Sequence, residues 1–255
     1  MQRLTRMIAT FPIYADQKMT TEPAIDLKNV HLTLGDGAGR VHILKGVDLQ
    51  IDKGTSVGLV GPSGSGKSTL LMVMAGLERA DTGDVLVAGS LLGPLSEDEL
   101  AQFRGQNIGI IFQSFHLVPN MTALENVAVP LELAGNKDAF SKARAELEAV
   151  GLGHRLAHYP AQMSGGEQQR VAVARALVVE PEILIADEPT GNLDEATGNQ
   201  IIELMFSAQK ARGTTLVLVT HDPGLAARCD RTVHVRSGEI DELRAAPQMA
   251  AGSAP

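Results

Sequence analysis

The sequence predicts an α/β fold with a parallel sheet at its centre, an antiparallel β subdomain and an inserted α-helical subdomain. Three observations support this prediction. Apolar residues nearly alternate over 25–34 and 47–51, the runs 57–60 and 183–186 are continuously apolar, and helix-capping signals concentrate between those two runs. Alternation is typical of antiparallel strands with one solvated face, whereas continuous apolar runs are typical of parallel strands buried on both faces.

The first half of the chain combines a hairpin with a strand that feeds a helix. The turn-rich segment 35–39 separates the two alternating segments and predicts the hairpin. The apolar run 57–60 then leads through a glycine-rich loop into a helical pattern over 67–77. This order is typical of a buried parallel strand followed by its crossover helix.

The middle of the chain predicts a helical insertion over about residues 95–165. Serine and threonine residues stand three positions before glutamates, as in a capping box, at Ser96 to Glu99 and at Thr122 to Glu125. An alanine-, glutamate- and leucine-rich stretch at 141–150 is closed by a glycine and adds a further helix.

The last part of the chain completes the sheet. We expect strands at 183–186 and 215–220 around a helix at 195–212, followed by short strands at 232–235 and around Ile240. One domain over residues 24–242 is therefore predicted, with flexible tails at 1–23 and 243–255.

Composition excludes several classes of protein. The 255 residues carry a net charge of −8 and a single cysteine, Cys229, so neither an internal disulfide nor a cysteine-based zinc cluster is expected. The longest apolar runs are far shorter than the roughly 20 residues that span a bilayer. The acidic balance lacks the basic footprint of nucleic-acid binding, so no nucleic-acid partner is predicted, and the reducing cytosol is the expected compartment.

A glycine-rich segment between the strand at 57–60 and the following helix predicts a phosphate-binding loop. Its glycines let backbone N–H groups converge on an anion at the positive end of a helix. Lys67 is expected to reach the β- and γ-phosphates and Ser68 to hold Mg²⁺. An ordinary Gly/Ser loop is the alternative, which the strand–loop–helix context disfavours. The predicted nucleotide-binding residues here are Gly61, Pro62, Ser63, Gly64, Ser65, Gly66, Lys67, Ser68 and Thr69.

Two carboxylates end the apolar strand at 183–186. Asp187 is expected to order Mg²⁺ and Glu188 to face the attacking water. Taken alone, the pair is equally well explained as acids that solvate a turn; together with the phosphate-binding loop upstream, it favours triphosphate hydrolysis.

A second helix start that can bind an anion lies between these motifs. Ser164 is a good N-cap, and Gly165 and Gly166 leave the first N–H groups of the helix uncovered. Because one chain offers a single γ-phosphate, this helix end is predicted to grip the nucleotide of a second copy. A plain glycine-rich helix cap is the alternative.

These three motifs in this order resemble the ATP-binding-cassette (ABC) ATPases, over about residues 24–242. The resemblance implies a RecA-like P-loop NTPase core, with ATP and Mg²⁺ as its ligands and Glu188, His221 and Lys67 as catalytic residues. It further implies that Gln113 contacts Mg²⁺ beside Ser68 and Asp187, that Asp194 belongs to a loop crossing a dimer interface, and that His221 contacts the γ-phosphate.

One position departs from the family pattern. The aromatic residue that usually stacks on adenine falls on Leu34, with His31 nearby. Leu34 is expected to cover one face of the base by apolar contact, with weaker discrimination between bases.

Finer similarity covers 112–119, 124–127, 167–170 and 187–194, which are similar to the branch serving lipoprotein release (LolD), macrolide export (MacB) and cell-division permeases. Within that branch, Leu34 and the segment 225–231 are most similar to the YbbA-type ATPases. This resemblance implies a homodimer that drives a separate integral membrane permease, with the chain peripheral on the cytoplasmic face of the inner membrane.

Two alternatives of other classes are open. A soluble ABC ATPase acting on nucleic acid or ribosomes usually carries a long coiled-coil or zinc insertion, or a second fused cassette, and the short helical insert here disfavours it. A P-loop small-molecule kinase explains Lys67 but leaves Ser164 and its two glycines without a role.

The loop after Gln113 carries the apolar residues Phe115, Leu117, Val118 and Pro119. They either form a docking patch for the permease or pack under the helical subdomain.

Overall fold

The computed structural model of the chain describes residues 22–241, which form two sheets and seven α-helices. The strands are β1 (Pro23–Leu34), β2 (Val41–Asp52), β3 (Ser56–Val60), β4 (Thr82–Val87), β5 (Ser90–Leu91), β6 (Ile108–Ile111), β7 (Ile183–Asp187), β8 (Thr215–Val219), β9 (Arg231–Arg236) and β10 (Glu239–Asp241). The helices are α1 (Lys67–Met74), α2 (Glu97–Asn107), α3 (Ala123–Leu133), α4 (Ala139–Ala149), α5 (Gly165–Leu177), α6 (Glu195–Arg212) and α7 (Pro223–Ala226).

The central sheet has the strand order β10-β9-β3-β8-β7-β6, and all neighbours pair in parallel except β10 with β9. Every residue of β3 and β8 is buried, as expected of strands covered on both faces. Successive side chains of β7 point to opposite faces of the sheet. Ile183 and Ile185 pack in the apolar cluster that contains α1, whereas Leu184 packs in the cluster that contains α6. The α/β core predicted from the sequence is therefore confirmed.

The antiparallel subdomain is a four-stranded sheet of order β2-β1-β4-β5. The predicted hairpin forms, since β1 pairs antiparallel with β2, but β4 and β5 had no recognised sequence signal. One face of this sheet, including Leu27, Leu44 and Ile51, packs into the same cluster as α1. This packing fixes the hairpin against the parallel core.

The helical subdomain has a separate apolar cluster formed by α3, α4 and α5. Both predicted capping boxes are present, at Ser96 with Glu99 and at Thr122 with Glu125. Each serine or threonine accepts a backbone N–H and each glutamate returns a bond to the cap, which satisfies two otherwise unpaired donors.

Some predicted elements differ from the structure in kind or in extent. The interval 95–165 is not helical throughout, because Ile108–Ile111 is strand β6, which pairs with β7. Four apolar residues cannot reveal by periodicity whether they belong to a strand or a helix. Helix α1 ends at Met74 rather than at 77, since Gly76 takes φ +63° and stops the helix.

Pro23, which the sequence placed in the N-terminal tail, begins β1. The remaining tail predictions, for 1–21 and for 243–255, lie outside the described residues. Within 22–241, none of the helices combines the length and the apolar character needed to cross a bilayer.

A glycine in β6 sets how closely α5 approaches the sheet. A Cβ added at Gly109 would lie 2.3 Å from the backbone oxygen of Ala176. Gly109→Ala is expected to lower the free energy of unfolding by about 1–3 kcal/mol, because backbone cannot give way as a flexible side chain can. Urea unfolding followed by circular dichroism measures this loss.

Gly105→Ala is the matched control. Gly105 lies in helix α2, and a Cβ there would meet nothing within 4 Å. This change is expected to raise the free energy of unfolding by about 0.5–1 kcal/mol, as alanine does in an open helix position. Equal effects of the two substitutions would contradict the close packing of α5 on β6.

Candidate nucleotide site

A cleft of about 480 Å³ opens at the carboxyl ends of β3, β7 and β8. Clefts at this edge of a parallel sheet are the usual ligand sites of open α/β folds. Most of the residues singled out from the sequence meet here. The lining residues are Ile43, Ser63, Gly64, Gly66, Lys67, Ser68, Thr69, Gln113, Asp187, Glu188, Gly191, Val219 and His221.

The glycine-rich loop joins β3 to α1 through left-handed backbone. Gly64 takes φ +73° and Gly66, the N-cap of α1, takes φ +101°. The Lys67 ammonium is buried and donates to the backbone oxygens of Gly61, at 2.8 Å, and Pro62, at 2.9 Å. The loop therefore places a cation and a helix N-terminus at one end of the cleft, which is the arrangement that binds phosphate.

Oxygen donors line the next part of the cleft. The Ser68 hydroxyl donates to Asp187 Oδ1 at 3.3 Å. Burial raises the pKa of Asp187 above its ordinary value and the charge of Glu188 adds to the rise, while the bond from Ser68 opposes it. A hydroxyl and a carboxylate are hard donors of the type that Mg²⁺ prefers, so this donor set fits that ion.

Glu188 and His221 form a hydrogen-bonded pair beside these donors. His221 Nδ1 lies 2.8 Å from Glu188 Oε2. Glu188 takes φ +47°, an unusual conformation for a residue with a side chain, and its N–H donates to the Val219 oxygen at 3.0 Å. Strain of this kind concentrates at functional sites. The carboxylate is thus held at the cleft by β8 and by the histidine that follows it.

Gln113 reaches the cleft from the loop after β6. Asn192 Nδ2 donates to the Gln113 backbone oxygen at 2.9 Å. Gly191 leaves the space that the Gln113 side chain uses, since a Cβ there would lie 2.5 Å from Nε2. The predicted Gln113 position is therefore joined to the segment that follows Glu188.

The predicted second anion site lies elsewhere on the surface. Ser164 caps α5 and accepts from the N–H of Glu167, and neither Ser164, Gly165 nor Gly166 lines the cleft of its own chain. Asp194, also outside that cleft, caps α6 by accepting from the backbone N–H and hydroxyl of Thr197. The structure thus separates the predicted site residues into two groups.

Leu34 does not line the cleft. It packs partly buried against the core, and Ile43 from β2 is the aliphatic residue that faces the cleft from the hairpin. In the loop after Gln113, Leu117 packs against the helical subdomain while Val118 and Pro119 are exposed. The packing alternative therefore holds for Leu117, while a docking role for the exposed residues stays a prediction.

Helix α5 carries two contacts that had no recognised sequence signal. Arg175 donates to the backbone oxygens of His116, at 2.6 Å, and Phe115, at 2.9 Å, both of which take positive φ. Gln169, fully buried, donates from Nε2 to the Pro189 oxygen at 2.7 Å. These bonds tie α5 to the loop after Gln113 and to the residue after Glu188.

A phosphate-binding loop beside a strand that ends in paired carboxylates defines a P-loop nucleoside triphosphatase. A family model described as ABC transporter matches residues 44–191, and the chain belongs to this family. The chain is therefore an ABC ATPase cassette of the transporter type, which binds ATP and hydrolyses it.

Curated relatives match nearly their whole length. The uncharacterized ABC transporter ATP-binding protein YbbA of Escherichia coli is 48% identical over 88% of this chain and 99% of its own. The lipoprotein-releasing system ATP-binding protein LolD of Legionella pneumophila is 51% identical over 80% of this chain and 91% of its own. The predicted similarity to the LolD branch and to YbbA is confirmed.

A solved structure shares the fold. The dimeric post-hydrolysis state of the ATP-binding cassette MJ0796, bound to ADP and Pi, superimposes with a TM-score of 0.79 at 39% identity. It covers 86% of this chain and 99% of that one. The RecA-like core predicted from the family resemblance is confirmed.

The capping box at the start of α5 makes a pH-dependent contribution to stability. Bonds from Ser164 and Arg155 hold the pKa of Glu167 below its ordinary value, with the backbone N–H of Ser164 as the largest cause. A lowered pKa contributes stability above the unfolded value, 4.5, that is lost as pH falls through the folded value. Glu167→Gln is expected to cost about 0.5–1 kcal/mol at pH 7.

The measurement is urea unfolding of wild type and Glu167→Gln from pH 7 downward. The difference between them should shrink below pH 4.5, where the wild-type carboxylate takes up its proton. Glu239→Gln, at an exposed position of β10, serves as the control. A difference that stays constant across this range would contradict the role of the charged cap.

Proposed function

We propose that two copies close head to tail around two Mg-ATP, with the Lys67 loop of each facing the Ser164 helix end of the other. The observation that carries this proposal is the separation of the site into two groups. The start of α5 has the N–H groups and dipole of an anion site, yet lies outside the cleft of its own chain. The dimeric MJ0796 cassette supports the same arrangement here.

The catalytic roles follow from the cleft. Glu188 takes the proton of the attacking water. Its carboxylate lines the cleft, and because His221 contacts only Oε2, the other carboxylate oxygen can accept that proton. His221 positions Glu188 and reaches the γ-phosphoryl group, and Lys67 exchanges its two carbonyl partners for phosphate oxygens. The products are ADP and phosphate.

Ser68, Asp187 and Gln113 are the residues proposed to hold Mg²⁺, which would neutralise charge on the phosphate oxygens. The raised pKa of Asp187 means that protons and the metal compete for this carboxylate as pH falls. Asp194, next to the proposed dimer contact, joins the two copies through the loop that begins α6.

The cassette, residues 24–242, is proposed to work as the peripheral subunit of a transporter on the cytoplasmic face of the inner membrane. Hydrolysis followed by release of phosphate removes the anions that bridge two copies, and the dimer opens. The loop after Gln113 passes this motion to a separate integral membrane permease, since it borders the cleft at one end and exposes Val118 at the other. A lipoprotein-releasing role similar to LolD fits the branch.

Substitution of the proposed general base tests the dimer and the chemistry together. Glu188→Gln keeps the shape of the side chain and removes its basicity, so hydrolysis is expected to fall by about 10²–10⁴-fold. Nucleotide binding remains, and a dimer accumulates with Mg-ATP. Phosphate release and light scattering after size exclusion measure the two effects.

Glu239→Gln serves again as the control, because it removes an exposed carboxylate that does not line the cleft and should leave both readouts unchanged. Hydrolysis at the wild-type rate by Glu188→Gln would refute the catalytic assignment. A variant that binds Mg-ATP but stays monomeric would refute the proposed dimer.

The exposed loop residue Val118 tests the permease partner. Val118→Asp places an unpaired charge in an apolar contact and should lower co-purification with an integral membrane protein by tenfold or more. Val41→Asp, at an exposed position of β2, is the matched control. The measurement is recovery from detergent-solubilised membranes of the source organism.

If Val118→Asp and Val41→Asp recover the same amount of membrane protein, Val118 does not contribute to the permease contact. Salt-sensitive recovery with nucleic acid, in place of a membrane protein, would favour the soluble alternative. An absolute requirement for an acceptor substrate in the ATPase assay would favour the kinase alternative.

A further inference from the structure

Two histidines meet on the antiparallel sheet, outside the nucleotide cleft. His42 on β2 pairs with Thr33 on β1, so it lies diagonal to His31, two residues earlier on β1. Their rings stack with centroids 5.4 Å apart and planes 17° apart. The Nδ1 atom of His31 and the Nε2 atom of His42 are 3.2 Å apart. Two imidazole nitrogens thus approach each other where solvent ions have access.

The other nitrogen of His31 is already committed. Its Nε2 lies 3.1 Å from Asn29 Oδ1, an oxygen that can only accept. With this bond, Nε2 carries the proton and Nδ1 presents a lone pair toward His42. A histidine that donates its far N–H to a fixed oxygen is the arrangement that orients imidazole for a metal.

The backbone around Asn29 is built to hold that oxygen in place. Asn29 takes φ +48° and its N–H donates to Asp48 Oδ1 at 2.9 Å. Gly46 supplies the space, because a Cβ there would lie 3.2 Å from Asn29 Oδ1 and 3.4 Å from His31 Nε2. Asp48 and Gly46 therefore both help to fix Asn29 Oδ1, which orients the ring of His31.

We propose that His31 and His42 form a binding site for a divalent transition-metal ion of the zinc and copper class. Two nitrogens bound at 2.0–2.1 Å to one tetrahedral ion are separated by about 3.3–3.4 Å. The 3.2 Å between His31 Nδ1 and His42 Nε2, which share a hydrogen bond without the ion, is close to this separation. The ion would replace the shared proton, which passes to solvent or to His42 Nδ1.

Within residues 22–241 no cluster of three or more histidine, cysteine or carboxylate side chains is placed around a common ion. The site therefore has two protein ligands, and solvent completes the coordination of an exchangeable ion.

The ligand chemistry separates this site from the one proposed for Mg²⁺. Imidazole suits Zn²⁺, Cu²⁺ and Ni²⁺, whereas Mg²⁺ takes oxygen ligands. An ion bound here would affect the nucleotide cleft, because His42 directly precedes Ile43, which lines that cleft. A bound ion ties β1 to β2 at the edge of that cleft. This proposal does not depend on the dimer or on the permease.

Zinc titration of the full chain, free of tag, nucleotide and Mg²⁺, tests the site by isothermal calorimetry. Wild type should bind one Zn²⁺ per chain, and His31→Gln and His42→Gln should each weaken binding by tenfold or more. Asn29→Gly keeps the left-handed backbone and removes only the supporting oxygen, so it should weaken binding by about 10–100-fold.

His154→Gln, at an exposed histidine of the helical subdomain, should leave zinc binding unchanged. Circular dichroism without zinc confirms that each variant is folded. Binding that persists in His42→Gln would assign the ion to another site, such as Glu188 with His221, and would overturn the proposal. The absence of binding by wild type at micromolar zinc would overturn it as well.

Discussion

The turn between β3 and α1 is the constraint on which the rest of the site depends. It must end a buried strand, begin a helix and leave its N–H groups uncovered within a few residues. Neighbouring elements hold it closely. A Cβ at Gly61 would lie 2.1 Å from the Val235 oxygen, and the Gly238 N–H donates to the Ser65 oxygen at 3.0 Å. Strand β9 and its turn toward β10 therefore support the loop from behind, although they lie far away in sequence.

Helix α5 connects the parts of the cassette that the function must coordinate. Its first turn is the proposed contact with the nucleotide of a second copy. Midway along it, Gln169 holds the Pro189 oxygen next to Glu188, and near its end Arg175 holds the loop that exposes Val118. Burial lowers the pKa of Arg175, whose charge is satisfied here by two carbonyl oxygens. A displacement of this one helix would shift both the proposed catalytic carboxylate of Glu188 and the proposed permease contact.

The sequence predicted those features that local chemistry determines. Strands β3, β7 and β8 were recognisable because both of their faces are buried, and α6 occupies the residues 195–212 over which it was expected. Strand β6 was missed because its four residues become a strand only by pairing with β7. Gln169 and Arg175 were missed because their partners are backbone oxygens. Every residue carries such an oxygen, so the sequence does not show which one a side chain will contact.

The place of Leu34 shows the same limit. Sequence similarity places it at the aromatic position of the family, whereas Ile43 is the hairpin residue that lines the cleft, and β1 and β2 pair with several register shifts. The contact of Leu34 with a base stays a prediction. The pairing of His31 with His42 depends on those register shifts. Spacing along a strand gives the face of a side chain only where the pairing is regular.

The two carbonyl bonds of Lys67 have a consequence for selectivity. Any anion that recruits this ammonium must outcompete the oxygens of Gly61 and Pro62, which already satisfy it within the chain. A singly charged solute gains too little from the exchange, whereas a polyphosphate tail offers several charge-assisted bonds at once. The lysine therefore favours ligands that carry several negative charges over singly charged ones.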